Sequence, residues 1–218
     1  MSHASFWVSW AITGAIISAI CVLSLIFTGY ACQYEAFLHT NFFVNFMMYF
    51  FFSFSMIIYA FFLSTFIWTV KLAYTISYAF VLFAVLLNLI LSNSLLLYFI
   101  FFNKNGIQAG SILRYVFYFY PPFIFSITFG IITRKASTHF EDASFSFVPG
   151  TYFGWSDLAI PEIGEFAIGD SYESPTVLNC FMWYFLIGCF YIVMTWYFDH
   201  FISHNRGTNE RFYFFLRR

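Results

Sequence analysis

The sequence predicts an all-α polytopic membrane protein with four transmembrane helices and one outer re-entrant helical hairpin. Three observations carry this. Hydrophobic residues make up 61% of the 218 and charged residues 9%, against about 25% charged in an ordinary soluble domain. Four uncharged or nearly uncharged runs reach the roughly 20 residues that a bilayer-spanning helix needs. A further apolar run is cut near its middle by Pro121-Pro122. Nine basic and ten acidic side chains cannot cover the wet surface of a soluble globule of this size.

The elements follow in chain order. The first span covers about residues 6–30 and has no charge. It lacks a basic n-region and is too long for the h-region of a signal peptide, so it reads as a spanning helix. A short polar connection holds Glu35 and His39. The second span covers about 42–70 and the third about 72–102, with Lys71 between them. With almost no loop there, Lys71 is expected at a tight turn where its ammonium reaches water. Asn88 and Asn93 are the strongly polar residues of the third run. They suit interhelical hydrogen bonds; lining a substrate path is the sharper alternative.

The chain then leaves the hydrocarbon at 103–114. The next apolar run, Tyr115 to Thr133, contains the two prolines, which remove two backbone donors and push the preceding residue out of the α region. A re-entrant hairpin over about 111–133 fits that break better than a straight span; a kinked span is the alternative. Residues 134–176 form a polar loop that opens with Arg134 and Lys135 and then carries seven acids. The last span covers about 177–198, followed by a tail over 199–218 with four arginines. Both topologies, with four or five full spans, put that tail in the cytosol by the positive-inside rule.

Composition also excludes functions. A net charge of −1 leaves no electrostatic footprint for nucleic acid. The four cysteines, Cys21, Cys32, Cys180 and Cys189, form no CxxC pair and read as small hydrophobes. No GxxxxGK[ST], GxSxG or HExxH occurs. The apolar runs contain no acid or base, which disfavours proton-coupled transport and intramembrane proteolysis. Asp199 with the i,i+4 pair His200 and His204 reads as a helix end at the membrane surface rather than a metal site, and so do Glu35 and His39. The acidic loop lacks the DxDxDG pattern and reads as a solvated outer surface. Trp7, Trp10, Tyr30, Trp183, Trp196 and Tyr197 suit interface belts. No catalytic, cofactor-binding or metal-binding residue is assigned.

Six short boxes point to a family. Ser5 to Trp10 (SFWVSW), Phe61 to Phe66 (FFLSTF) with Lys71 beyond it, and Tyr120 to Phe123 (YPPF) come first. Gly154 to Leu158 (GWSDL), Thr195 to Asp199 (TWYFD) and Arg211 to Leu216 (RFYFFL) follow. In this order and at this spacing they resemble the transmembrane domain of subfamily A (ABCA-type) ABC transporters. The resemblance implies part of an ABC-2 type transmembrane domain, with an outer re-entrant hairpin and both ends cytosolic. It further implies transport of lipids or lipid-like substrates, with ATP and Mg bound by a nucleotide-binding domain that this chain does not carry. The implied partners are the lipid bilayer, that nucleotide-binding domain, a second transmembrane half and a lipid-like substrate. On this reading the chain is no enzyme by itself and looks like a fragment, a truncated gene model or a half-component. The alternative is a stand-alone integral membrane scaffold or assembly subunit. A small channel or carrier is disfavoured by the uncharged spans.

Overall fold

The computed structural model describes residues 3–67, 69–91, 94–102, 108–141, 146–165 and 171–201. Helix α1 spans His3–Ala31 and the four-residue α2 spans Glu35–Leu38. Helix α3 covers Phe42–Ser64 and α4 Val70–Leu91; α5 (Ser94–Phe101) and α6 (Gln108–Tyr118) are shorter. Helix α7 covers Pro121–Ala136 and α8 Val177–Phe201. Among the described residues four helices are long and apolar enough to cross a membrane: α1, α3, α4 and α8; the bent pair α6–α7 makes a fifth if it counts as one span. The all-α polytopic fold expected from composition is therefore present.

Helices α1, α3, α4 and α8 alternate in direction, which gives the bundle two ends. The tail end holds the start of α1, the α3–α4 turn and the end of α8. The loop end holds α2, the end of α7 and the segment between α7 and α8. That segment is more structured than its Gly and Pro residues suggest. Strands β1 (His139–Glu141) and β2 (Ser146–Val148) pair antiparallel, with Phe140 opposite Phe147. A 3₁₀ turn covers Trp155–Ala159. Strands β3 (Ile163–Glu165) and β4 (Ser171–Glu173) form a second antiparallel pair.

Two boundaries differ from the sequence reading. The second span ends at Ser64, not at 70, because Ser64 and Thr65 turn their hydroxyls back to the Phe61 and Phe62 carbonyls, both at 2.7 Å. These side-chain bonds compete with the helical ladder and close the helix. Thr69 then caps α4, its hydroxyl accepting from the Leu72 N–H at 3.2 Å. Lys71 is exposed in the first turn of α4. The third run is also not one helix to 102: α4 stops at Leu91 and α5 starts at Ser94. Asn93 lies outside the described residues, as does the Asn88 side chain.

Helix α7 is the most enclosed element. Phe123, Ile124, Ile127, Thr128 and Ala136 are fully buried, and Ile131 and Ile132 nearly so. It packs on α3, α4, α6 and α8. By contrast α1 and α4 present wide apolar faces outward, including Ile12, Ile16, Ile20 and Phe27, and Tyr78, Val81, Leu82 and Val85. Such faces would drive aggregation in water but cost nothing against lipid tails. Helices α1 and α3 approach closely where Gly14 meets Ile57: a β-carbon there would lie 3.0 Å from the Ile57 Cδ1. A small residue at a membrane helix contact lets two backbones come together.

Candidate functional site

The prolines that break the fifth apolar run do so by starting a new helix. Tyr120 is extended (φ −104°, ψ 106°), and Pro121 and Pro122 occupy the first positions of α7. There the missing N–H groups are orphans in any helix. Helices α6 and α7 turn by 105° at this break. Both outer ends of the pair lie at the loop end. Just before α6, Tyr98 of α5 stacks on Tyr172 of β4 at 4.6 Å, and beyond the break Arg134 of α7 pairs with Glu162 at 3.0 Å. A pair bent in this way is a broken span or a re-entrant loop.

The tip of this hairpin lies deep in the bundle. Tyr120 meets Phe80 and Phe83 of α4, both at 5.4 Å, and Tyr59 of α3 at 6.4 Å. Tyr59 in turn touches Tyr191 of α8 at 5.0 Å. Tyr191 lies about 21 Å along α8 from Val177, at roughly 1.5 Å per residue. Breaking a helix at such depth leaves carbonyls without donors, which hydrocarbon does not tolerate. In a continuous helix Phe119 C=O would accept from the Phe123 N–H, but that N–H donates to Tyr120 instead, at 2.9 Å. The Tyr191 hydroxyl donates to the Phe119 carbonyl in its place. The hydroxyls of Tyr120 and Tyr184 are buried with no partner among the described residues.

Polar bonds fasten the loop end. Lys135 Nζ sits 2.7 Å from Asp157 Oδ1, and Asp157 Oδ2 accepts the Gly154 N–H at 2.8 Å. Glu35 accepts the Thr138 N–H at 2.8 Å, and His39 Nδ1 lies 3.0 Å from the Ala136 carbonyl. Phe153 N–H donates to the His39 carbonyl at 2.7 Å, and Asn41 N–H to the Phe153 carbonyl at 3.0 Å. Gly150 permits the loop to cross the end of α7: a β-carbon there would fall 2.4 Å from the Ala136 carbonyl oxygen. Burial would raise the Asp157 carboxyl, but the Gly154 N–H and Lys135 outweigh it and hold it below its usual range. The Thr138 N–H likewise lowers Glu35. Burial lifts Glu162 above its usual range despite Arg134 and His139 nearby.

Rings hold the tail end. Trp7 lies 5.3 Å from Phe61, and its indole N–H donates to Asp199 Oδ2 at 3.2 Å. Phe198 touches Phe66 at 4.9 Å and Phe62 at 6.1 Å. Three of the sequence boxes, SFWVSW, FFLSTF and TWYFD, therefore meet at one place although they are far apart in the chain. The YPPF box forms the hairpin tip and GWSDL the Asp157 turn. The RFYFFL box and His204 lie outside the described residues, as does the His200 side chain.

The residues singled out from the sequence separate in the structure. Glu35 and His39 do not converge on one partner; His39 lies against the last carbonyl of α7, at Ala136, and Glu35 bonds Thr138 just beyond it. Of the seven acids in the polar loop, Asp157 and Glu162 are tied to Lys135 and Arg134 rather than simply solvated. Among the described residues no three His, Cys, Asp or Glu side chains are grouped to hold a metal, and the cysteines are unpaired. Sequence reading missed the pairing of Arg134 and Lys135, the Tyr191–Phe119 bond and the Trp7–Asp199 bond. A signal existed for the first: two bases in the last turn of a helix suit its dipole and face any acids nearby.

A helical bundle with several long apolar spans, whose charged residues among those described lie near the span ends, defines a multi-pass integral membrane protein. No family model matches the chain. Over 217 residues it is 30% identical to "ABC transporter A family member 1" of Dictyostelium discoideum, covering 99% of this chain and 24% of that protein. It is 27% identical over 218 residues to "ABC transporter A family member 9" of Arabidopsis thaliana, covering 99% of this chain and 20% of that one. It is 29% identical over 195 residues to "ABC transporter A family member 8" of Dictyostelium discoideum. The chain spans about a fifth to a quarter of the length of the curated relatives it matches. The resemblance carried by the boxes holds: along nearly its whole length this chain matches a segment of ABC transporter A family proteins.

Proposed function

We propose that this chain is the membrane-spanning part of an ATP-driven transporter that moves lipids or lipid-like substrates. The observation that carries the reading is the match to A-family transporters along nearly the entire chain, with three of its sequence boxes gathered at the tail end. Apolar, aromatic spans that carry acids and bases only near their ends suit a greasy cargo better than an ion, which needs charged or carbonyl ligands along its path. On this reading the chain does no covalent chemistry itself. ATP and Mg bind a nucleotide-binding domain on another stretch of polypeptide, and a second transmembrane half completes the path. The tail end faces the cytosol and receives the ATP-driven movement; the loop end faces outward and holds the hairpin steady.

Reconstitution of the full-length product in vesicles tests this. The expected result is movement of a fluorescent phospholipid between leaflets that needs hydrolysable ATP. A purified complex with no ATPase subunit and no lipid movement would support a scaffold instead. Flux of small solutes without ATP would make it a channel or carrier.

A further inference from the structure

Between α5, α6 and α8, at the loop end, lies an open cleft of about 400 Å³. That is within the roughly 300–1,000 Å³ typical of ligand sites. Its walls include Arg114, Tyr118, the Glu173 carboxylate, Ser174, Asn179 and Trp183. The Arg114 guanidinium sits 5.1 Å from the centre of each of two rings, Phe102 and Tyr115. Its Nη2 lies 3.5 Å from the Tyr115 hydroxyl, while its Nε is buried with no hydrogen-bond partner. Arg114 makes no ion pair among the described residues. A partly exposed guanidinium held between two rings offers its Nη donors, beside the Glu173 carboxylate, to an anion that can take a two-pronged hydrogen bond.

The location selects the source of that anion. Asn179 lies in the first turn of the α8 span, and Trp183 one turn deeper stacks on Tyr118 at 4.8 Å. Aromatic side chains at this depth mark the membrane–water interface. Beside the cleft, α6 exposes Ile112, Leu113 and Val116, an apolar strip beside a cation, as on helices that lie in an interface. A bound molecule here has its anionic part at Arg114 and its apolar part along α6.

We propose that this cleft binds the phosphodiester of one membrane phospholipid, held as a fixed structural ligand that braces α6 against α8. This lipid is distinct from any cargo, so the assignment does not depend on the transport reading.

Native mass spectrometry of the full chain, purified in mild detergent and titrated with phosphatidylglycerol or with diacylglycerol, tests it. The chain is expected to retain one phosphatidylglycerol, and Arg114→Gln to weaken that retention at least tenfold without changing diacylglycerol retention. Arg114→Lys, which keeps the charge but loses the fork, is expected to weaken it severalfold. It also serves as the test if Arg114→Gln does not fold. Millimolar inorganic phosphate should not displace the lipid; displacement would make this a free-anion site and overturn the proposal. Retention unchanged in the folded variants, or equal retention of diacylglycerol, would overturn it too. Loss of ATP-driven flux with lipid retention intact would count against the transport reading alone.

Discussion

The two ends of the bundle are fastened by different physics. At the loop end, ion pairs and backbone hydrogen bonds tie α2, α7 and the α7–α8 segment together: Arg134–Glu162, Lys135–Asp157, Glu35–Thr138 and Phe153 with His39 and Asn41. At the tail end, rings pack around Trp7, Phe61, Phe66 and Phe198, with the Trp7–Asp199 bond across α1 and α8. Directional bonds lose most of their worth when partners shift by an ångström. Ring contacts are broad and shallow, and tolerate sliding. The loop end is thus built to stay fixed and the tail end to yield, with the hairpin tip suspended between them.

The largest expected difference between the ends comes from removing one ring at each. Phe153 is 1% exposed and lies under Lys135, whose ammonium is 5.6 Å from the ring centre. Phe153→Ala should cost about 3–5 kcal/mol. Phe198→Ala, at the half-buried tail end, should cost less than about half of that, since a mobile contact relaxes around the gap. Thermal unfolding of both variants in detergent measures the contrast. A larger loss from Phe198→Ala would reverse the assignment of fixed and yielding ends.

The hairpin tip offers a sharper comparison between two tyrosines. Tyr191→Phe removes the donor to the Phe119 carbonyl and leaves that group unpaired in an apolar setting. A loss of about 1–3 kcal/mol is expected. Tyr120→Phe removes a buried hydroxyl that has no partner among the described residues, so it should be neutral or stabilising by about 1 kcal/mol. Equal losses from both would mean that the hydroxyls are satisfied alike and that the tip is not held by Tyr191.

How much of this was legible in the sequence depends on the range of the interactions. Spans were legible because a bilayer sets their length and an uncharged run is its direct trace. The bend between α6 and α7 was legible because Pro121-Pro122 forbids a continuous helix locally. The end of α3 at Ser64 was not, because Phe66 and Ile67 are as apolar as the helix and the stop comes from two hydroxyls turning back. The β-hairpins after α7 were hidden by their three-residue strands, too short to show alternation. The bonds from Trp7 to Asp199 and from Tyr191 to Phe119 join residues 192 and 72 positions apart. No periodicity reports on such pairs. The boxes did mark where they would be, since three of the six converge at one end.

A smaller effect is expected from the tail-end polar bond. Trp7→Phe keeps a ring against Phe61 but removes the donor to Asp199. Stability should fall by only about 0.5–1.5 kcal/mol, the net worth of an ordinary hydrogen bond. Unfolding of the purified variant measures this. A loss approaching that of Phe153→Ala would show that the tail end is held as firmly as the loop end.

The smallest effect expected is on pH dependence, and it is carried by two carboxylates at the loop end. Asp157 is held below its usual 3.8, so the fold favours its charged form. Its contribution is complete above 3.8 and disappears as pH falls through the lowered value. Glu162 is lifted above its usual 4.5, so the fold favours its protonated form. That contribution is present below 4.5 and disappears as pH rises through the raised value. The two carboxylates therefore tilt the curve in opposite directions. Asp157→Asn should flatten the acid limb of a plot of unfolding temperature against pH, and Glu162→Gln should flatten the limb just above 4.5. The tail-end variant Phe198→Ala should shift the whole curve without changing its shape over this range; a change of shape would count against the loop end as the source of this pH dependence.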